Sequence, residues 1–283
     1  MTERTHTYGK RLIRVFARKT NATPTDDMAF YGEPGLFIPD ADEVHVSCTF
    51  TADIPRAEWL LRSWQNTGLP VKIGGPAFND HGEAFVPGRY LKYGYVITSR
   101  GCPNNCWFCS VPNREGPTIR ELPITDGWNL LDDNLLACSD DHIKAVFNML
   151  KQYGSKVEFT GGLEAARLKP WHVDALTQIK PKQMFFAYDT PDDYEPLLSA
   201  GKLLKEAGIT IQSRKPRCYV LIGYPRDTLN DAEYRLKAAL QAGFIPMAML
   251  YKSDNYEQNR EWRTLQREWA RPALIMANRR VES

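Results

Sequence analysis

From residue 43 onward, short apolar runs alternate with amphipathic stretches. The runs EVHVSCTF (43–50), VKIGG (71–75), YVITS (95–99), NLLDD (129–133), VEFTGG (157–162), MFFAYD (184–189), CYVLIGYP (218–225) and PMAMLY (246–251) have the length and composition of strands. The segments between them carry helical periodicity and helical punctuation. Ser139 is placed to cap a helix with Asp140 and Asp141 in its first turn and Ile143, Phe147 and Leu150 on one face. Leu197, Ala200, Leu204 and Ala207 mark a second helix that Gly208 stops, and Thr228 caps a third whose inner face is Ala232, Leu236 and Leu240.

Strand and helix in steady alternation imply βα units and a largely parallel sheet. The stretch FNDHGEAFVPGRYLKYG (78–94) breaks the rhythm, being rich in glycine and polar residues. It divides a small N-terminal α/β unit (1–94) from six βα-type units (95–256), which are followed by an amphipathic helix and basic tail (257–283). The expected fold is α/β, with six such units forming a partial TIM-like (β/α)6 barrel.

Composition narrows the functional classes. Hydrophobic residues at 43% and charged residues at 25% are ordinary for a folded globular protein, and no apolar run reaches the roughly 18 residues of a membrane span. The basic opening MTERTHTYGKRLIRVFARKT lacks the apolar stretch of a secretory signal, so a cytoplasmic protein is expected. A net charge of +2 selects no class of partner. The six cysteines do not form a disulfide framework in a chain of this length, which fits a reducing compartment.

Three of those cysteines fall within eight positions. In TSRGCPNNCWFCSVP (98–112), Cys102, Cys106 and Cys109 have the spacing C-x3-C-x2-C and follow directly on a predicted strand, where parallel α/β barrels keep their chemistry. Structural zinc is the alternative, but it needs a fourth protein ligand, and the nearest histidine, His81, lies well upstream. Three thiolates instead leave one metal position open, as suits an iron-sulfur cluster that must bind a reactant.

This loop, with Phe108 before its last cysteine, resembles that of the radical S-adenosylmethionine superfamily. The longer stretch TSRGCPNNCWFCSVPNREG looks like the branch of methylthiotransferases, elongator-type tRNA enzymes and cobalamin-dependent members. The resemblance covers roughly residues 95–251. It implies that Cys102, Cys106 and Cys109 hold a 4Fe-4S cluster, that the open iron chelates S-adenosyl-L-methionine, and that a one-electron donor such as flavodoxin or ferredoxin drives its cleavage.

The resemblance also implies cofactor contacts at the ends of later strands. A GGE-like motif receives the methionine amino group in the family, and two segments compete for it here. FTGGLEA supplies Gly161, Gly162 and Glu164 literally, whereas Asp132 and Asp133 stand at the expected second-strand position, which favours the aspartates. Asp189 corresponds to a polar residue on the ribose. YVLIGYPRDT, with Gly223, is similar to the strand beside adenine and methionine. Arg214, Lys215 or Arg217 would pair with the methionine carboxylate, and Phe108 would pack near adenine.

The N-terminal unit departs from the pattern. It looks like part of a cobalamin-binding domain, but none of the five histidines stands in D-x-H-x-x-G, so no cobalamin is expected. Cys48, Cys138 and Cys218 read as small buried hydrophobes. Two basic features raise a nucleic acid substrate. Arg260, Arg263, Arg267 and Arg271 form a stripe opposite Trp262, Leu265 and Trp269, and Lys10, Arg11, Arg14, Arg18 and Lys19 form an arm without an acidic sequence neighbour. The competing functional class is a non-catalytic cluster or zinc module on the same scaffold.

Overall fold

The computed structural model describes residues 10–81, 84–251, 260–272 and 275. The chain divides into two compact units, one made of the residues up to Tyr95 together with Ser110–Gly116 and the other of Val96–Cys109 with the residues from Pro117 on. The break expected at 256–257 and the basic tail beyond 275 lie outside the described residues.

The first unit is built on the strands β1 (Leu12–Phe16), β2 (Ala29–Phe30), β3 (Glu43–Ser47) and β4 (Val71–Gly74), in the order β2-β1-β3-β4 and parallel throughout. Helix α1 (Ile54–Gln65) buries Ala57, Leu60 and Trp64 in the same core as Ile13, Val15, Val44 and Val46. Strand β1 corrects the sequence reading, which treated this segment as a basic arm. LIRVF is a near-continuous apolar run of the kind that central parallel strands carry. Of the five basic residues in and around the strand, four are paired with carboxylates, Lys10 to Glu43, Arg11 to Asp40 and Asp42, Arg14 to Asp26, and Arg18 to Asp53, and Lys19 lies over the Tyr31 ring at 4.8 Å.

The second unit carries a six-stranded sheet in the order β12-β11-β10-β9-β8-β5, so each strand lies beside its neighbour in sequence, as a partial (β/α)6 barrel requires. Its strands are β5 (Tyr95–Val96), β8 (Asn129–Leu130), β9 (Glu158–Phe159), β10 (Gln183–Ala187), β11 (Pro216–Ile222) and β12 (Ile245–Leu250). A two-residue ribbon of β6 (Ser99–Arg100) and β7 (Arg120–Glu121) pairs antiparallel at the end of β5, and the short helix α2 (Val111–Arg114) lies between them in sequence. The connecting helices are α3 (Asp140–Lys151), α4 (Pro170–Ile179), α5 (Tyr194–Glu206) and α6 (Leu229–Gln241), followed by α7 (Arg260–Glu268).

The expected caps are present. Ser139 Oγ accepts from the His142 amide at 3.2 Å, and Thr228 Oγ1 from the Asp231 amide at 3.1 Å. Gly208 ends α5 at φ +78°, where L side chains are strained. Alternation along β11 separates the two faces of the sheet. Pro216, Cys218, Val220 and Ile222 are buried on the side where Phe186 meets Phe244, whereas Arg217, Tyr219 and Leu221 point to the other, half-buried face.

Candidate functional site

All five loops of interest leave the carboxyl ends of parallel strands, and their roots are bonded to one another. Asp132, just past β8, is almost fully buried and accepts from the Thr98 amide at 2.6 Å, the Thr98 hydroxyl at 2.6 Å and the Ser99 hydroxyl at 2.8 Å. Burial pushes its carboxyl up and these hydrogen bonds pull it down. Asp133 accepts from the Gly101 amide at 3.0 Å and faces Arg100 at 3.8 Å. Gly101 itself sits at φ +88°. The two aspartates therefore brace the root of the cysteine loop. Asp132, with both oxygens engaged, has no room for an incoming ammonium group, which counts against the assignment by strand order.

The loop itself keeps Cys102, Cys106 and Cys109 half-buried, and the Cys109 amide donates to the Cys106 carbonyl at 3.1 Å. The Cys106 thiol is pushed up to about 11, first by burial and then by the neighbouring Cys109 and Cys102 and by Asp193 and Asp189. Cys102 and Cys109 are thus near enough to oppose ionisation of Cys106, a cost that bound metal removes. Among the described residues, no three His, Cys, Asp or Glu side chains converge as one shared metal ion would require. A cubane makes no such demand, because each thiolate binds its own iron.

The glycine pair occupies the end of the next strand. The Thr160 and Gly161 amides both donate to Leu130 O, at 3.0 and 2.9 Å. A Cβ on Gly161 would stand 2.3 Å from Asp132 O, so only glycine lets β9 pass so close to the end of β8. Gly162 is different. It has φ +104° and open space where a Cβ would be. Glu164 follows, and its Oε2 accepts from Asn134 Nδ2 at 2.6 Å and from Arg167 Nε at 2.7 Å. Asn134 Nδ2 also reaches Cys102 Sγ at 3.4 Å.

Asp189, at the end of β10, accepts from the Leu221 amide at 3.0 Å and is pushed up to about 7, chiefly by burial. It is not the helix cap. Thr190 and Asp193 fill that role, with the Thr190 amide donating to Asp193 at 2.7 Å. Gly223, past β11, has φ +71°, and a Cβ there would meet Leu250 at 2.7 Å and Trp262 at 3.2 Å. Its amide donates to Asp227 at 2.8 Å, and Asp227 is paired with buried Arg235 at 2.8 Å.

One expectation is corrected outright. Arg214 precedes β11 and is exposed at its amino end, so the parallel sheet places it at the opposite end from the cysteine loop. Lys215 shares that end, and Arg217 lies along the strand with its guanidinium 5.6 Å from the Phe185 ring centre. None of the three reaches the end of the sheet that carries the cysteine loop. Sequence reasoning also missed two features. Asn134 is nearly buried beside Cys102, and Trp107, 59% exposed, stands with its ring centre 5.6 Å from those of both Tyr224 and Tyr251. The only sequence signal for this aromatic cluster was that all three aromatics follow strand ends. Phe108 packs edge-on against Trp107 at 5.3 Å.

No protein-family model matches the chain. It is similar to the ribosomal protein uS12 methylthiotransferase RimO of Actinobacillus succinogenes, 27% identical over 161 residues that cover 50% of this chain and 35% of the relative. RimO of Pseudomonas savastanoi pv. phaseolicola is 23% identical over 197 residues, covering 65% of this chain and 42% of the relative. The chain thus spans between a third and a half of the length of these relatives. Among solved structures it is similar to the radical S-adenosylmethionine methyltransferase TsrM of Kitasatospora setae, with cobalamin and a [4Fe-4S] cluster bound. The TM-score is 0.55 at 11% identity, over 84% of this chain and 74% of that one. A second TsrM structure, with tryptophan substrate and aza-SAM, gives 0.52 at 12% identity over 75% and 62%. These likenesses establish the fold.

Proposed function

We propose, the chain being a member of the radical S-adenosylmethionine superfamily in its methylthiotransferase-like branch, that Cys102, Cys106 and Cys109 hold a 4Fe-4S cluster at which S-adenosylmethionine is cleaved. The observation that carries this reading is the C-x3-C-x2-C loop rooted at the carboxyl end of β5 and braced by Asp132 and Asp133. When bound and reduced by one electron, the cluster and cofactor supply a 5′-deoxyadenosyl radical able to take hydrogen from a substrate.

The chain's own residues bind, orient and exclude water. The Gly161-Gly162 turn lets the backbone run beside the cofactor, and Glu164 receives its ammonium group. Glu164 Oε2 is occupied by Asn134 and Arg167, and Oε1 has no partner among the described residues. Asp189 faces the ribose, and its burial favours a protonated carboxyl that can donate as well as accept. Trp107, packed against Tyr224, Tyr251 and Phe108, shields this end of the sheet from water.

The electron comes from a flavodoxin- or ferredoxin-class donor, and the setting is cytoplasmic. No helix among the described residues is long and apolar enough to cross a membrane. The protein binds no cobalamin, unlike TsrM. None of its histidines stands in D-x-H-x-x-G, and His45, in the first unit, is engaged by Tyr90 and Glu43. A nucleic acid substrate rests on the stripe at α7, since four of the five basic residues around β1 are paired with carboxylates.

Anaerobic reconstitution tests the central claim. Four irons and four sulfides per chain are expected, as is release of 5′-deoxyadenosine on reduction with dithionite and S-adenosylmethionine. A colourless protein carrying one zinc and yielding no nucleoside would assign it to the non-catalytic class.

A further inference from the structure

Among the described residues, Asn134 is the one whose side chain touches both a proposed cluster cysteine and the expected cofactor carboxylate. It is 5% exposed, and its Nδ2 donates to Glu164 Oε2 at 2.6 Å and approaches Cys102 Sγ at 3.4 Å, within the range for a sulfur acceptor. The orientation of the amide is chemically forced. Both neighbours are anions when Glu164 is ionised and Cys102 is a thiolate, so the NH2 group, with two protons, must face them. Its Oδ1 is then left buried without a hydrogen-bond partner among the described residues. A buried carbonyl left this way costs free energy unless a donor arrives, and the oxygen shares its amide group with the contact to the Glu164 carboxylate.

We propose that Asn134 is a positioning residue that couples the two halves of the site. One N–H bonds the sulfur of Cys102 and withdraws electron density from it, the other fixes Glu164, and Oδ1 is an additional acceptor for the ammonium group of the cofactor. The inference rests on the reading of the cysteine loop as a cluster site. A hydrogen bond to a ligating thiolate stabilises the reduced cluster, because the reduced form carries the extra negative charge. Removing it must therefore lower the reduction potential. A residue with a merely structural role would alter stability and leave the potential of an intact cluster where it was.

The test uses the reconstituted full chain and its Asn134→Ala and Asn134→Asp variants. Iron content is measured first, then the potential by redox titration followed by electron paramagnetic resonance, without substrate. The Ala variant should titrate at lower potential than the wild type. The Asp variant, which replaces a donor by a charge of like sign at constant shape, should titrate lower still. Both should also bind S-adenosylmethionine more weakly, by about tenfold in Kd, the size expected for losing a hydrogen bond to a charged group. Wild-type protein without a 4Fe-4S cluster would remove the functional reading itself. Variants with full iron and unchanged potential would overturn the role of Asn134 while leaving that reading intact. So would loss of the cluster in both variants, which would make Asn134 a requirement for assembly.

Discussion

Two carboxylates at the site differ in what surrounds them, and the difference predicts opposite phenotypes. Asp132 accepts three hydrogen bonds in near-complete burial, so Asp132→Ala strands the Thr98 amide and the hydroxyls of Thr98 and Ser99 without a partner. The expected cost is about 3–5 kcal/mol of folding stability, measured by urea denaturation of the apo-protein. Glu164→Ala removes a partly exposed group paired with Arg167 and strands one buried donor, Asn134 Nδ2, so it should cost less than Asp132→Ala, about 1–2 kcal/mol of stability. Its effect belongs on cofactor affinity, weakened by about 1.5–3 kcal/mol in calorimetric titration. Asp132 and Glu164 were both visible in the sequence as acidic residues after strands. What set them apart was the identity of their donors, and residues 98 and 132 are too far apart in sequence to announce a hydrogen bond.

Asp189 gives a prediction in pH. Its carboxyl rises from an ordinary value near 3.8 to about 7, so the folded protein holds a proton that the unfolded chain releases. The stability this contributes is complete below pH 4 and is lost as pH climbs from about 4 through 7. A shift of this size corresponds to at most about 4 kcal/mol. Asp189→Asn keeps an acceptor for the Leu221 amide and should flatten the stability profile of the apo-protein across that window. An unchanged slope would mean that the group ionises freely.

At the level of elements, the parallel sheet decides which residues can meet. Strands β8 to β11 deliver Asp132, Gly161, Asp189 and Gly223 to one end, and the same rule sends Arg214 to the other. The order of the elements was readable, because each is a run of apolar residues closed by glycine, aspartate or a cap. The β1 strand was not. Its LIRVF core is flanked and interrupted by lysine and arginine, and only the structure shows their carboxylate partners in later segments. Caps are local enough to be read from sequence and tested singly. Ser139→Ala and Thr228→Ala should each lower stability by about 1 kcal/mol, with the far-ultraviolet spectrum unchanged.

For the whole molecule, the pairing of the β1 basic residues leaves α7 as the place to look for a polyanion partner. Arg260, Arg263 and Arg267 on α7 and Arg271, three residues past its end, are all exposed, while Leu265 is buried, Trp262 lies over Gly223 and Trp269, just past the helix, packs toward Ile211 and Ile245. The aromatic side of the helix is therefore committed to packing, and only the arginine side faces outward. Glu261 and Glu268 on the same helix dilute its field, and a net charge of +2 adds little long-range attraction. Four phosphate contacts would give a logarithmic salt slope of about −3.6 with duplex, so affinity should fall roughly 100-fold between 50 and 200 mM salt. Fluorescence anisotropy with labelled single-stranded and duplex oligonucleotides reads this directly. Replacing the four arginines by glutamine should abolish the slope and leave the fold and the cluster as they are. Binding that is absent at 50 mM salt, or indifferent to the four substitutions, would point to a peptide or small-molecule substrate instead.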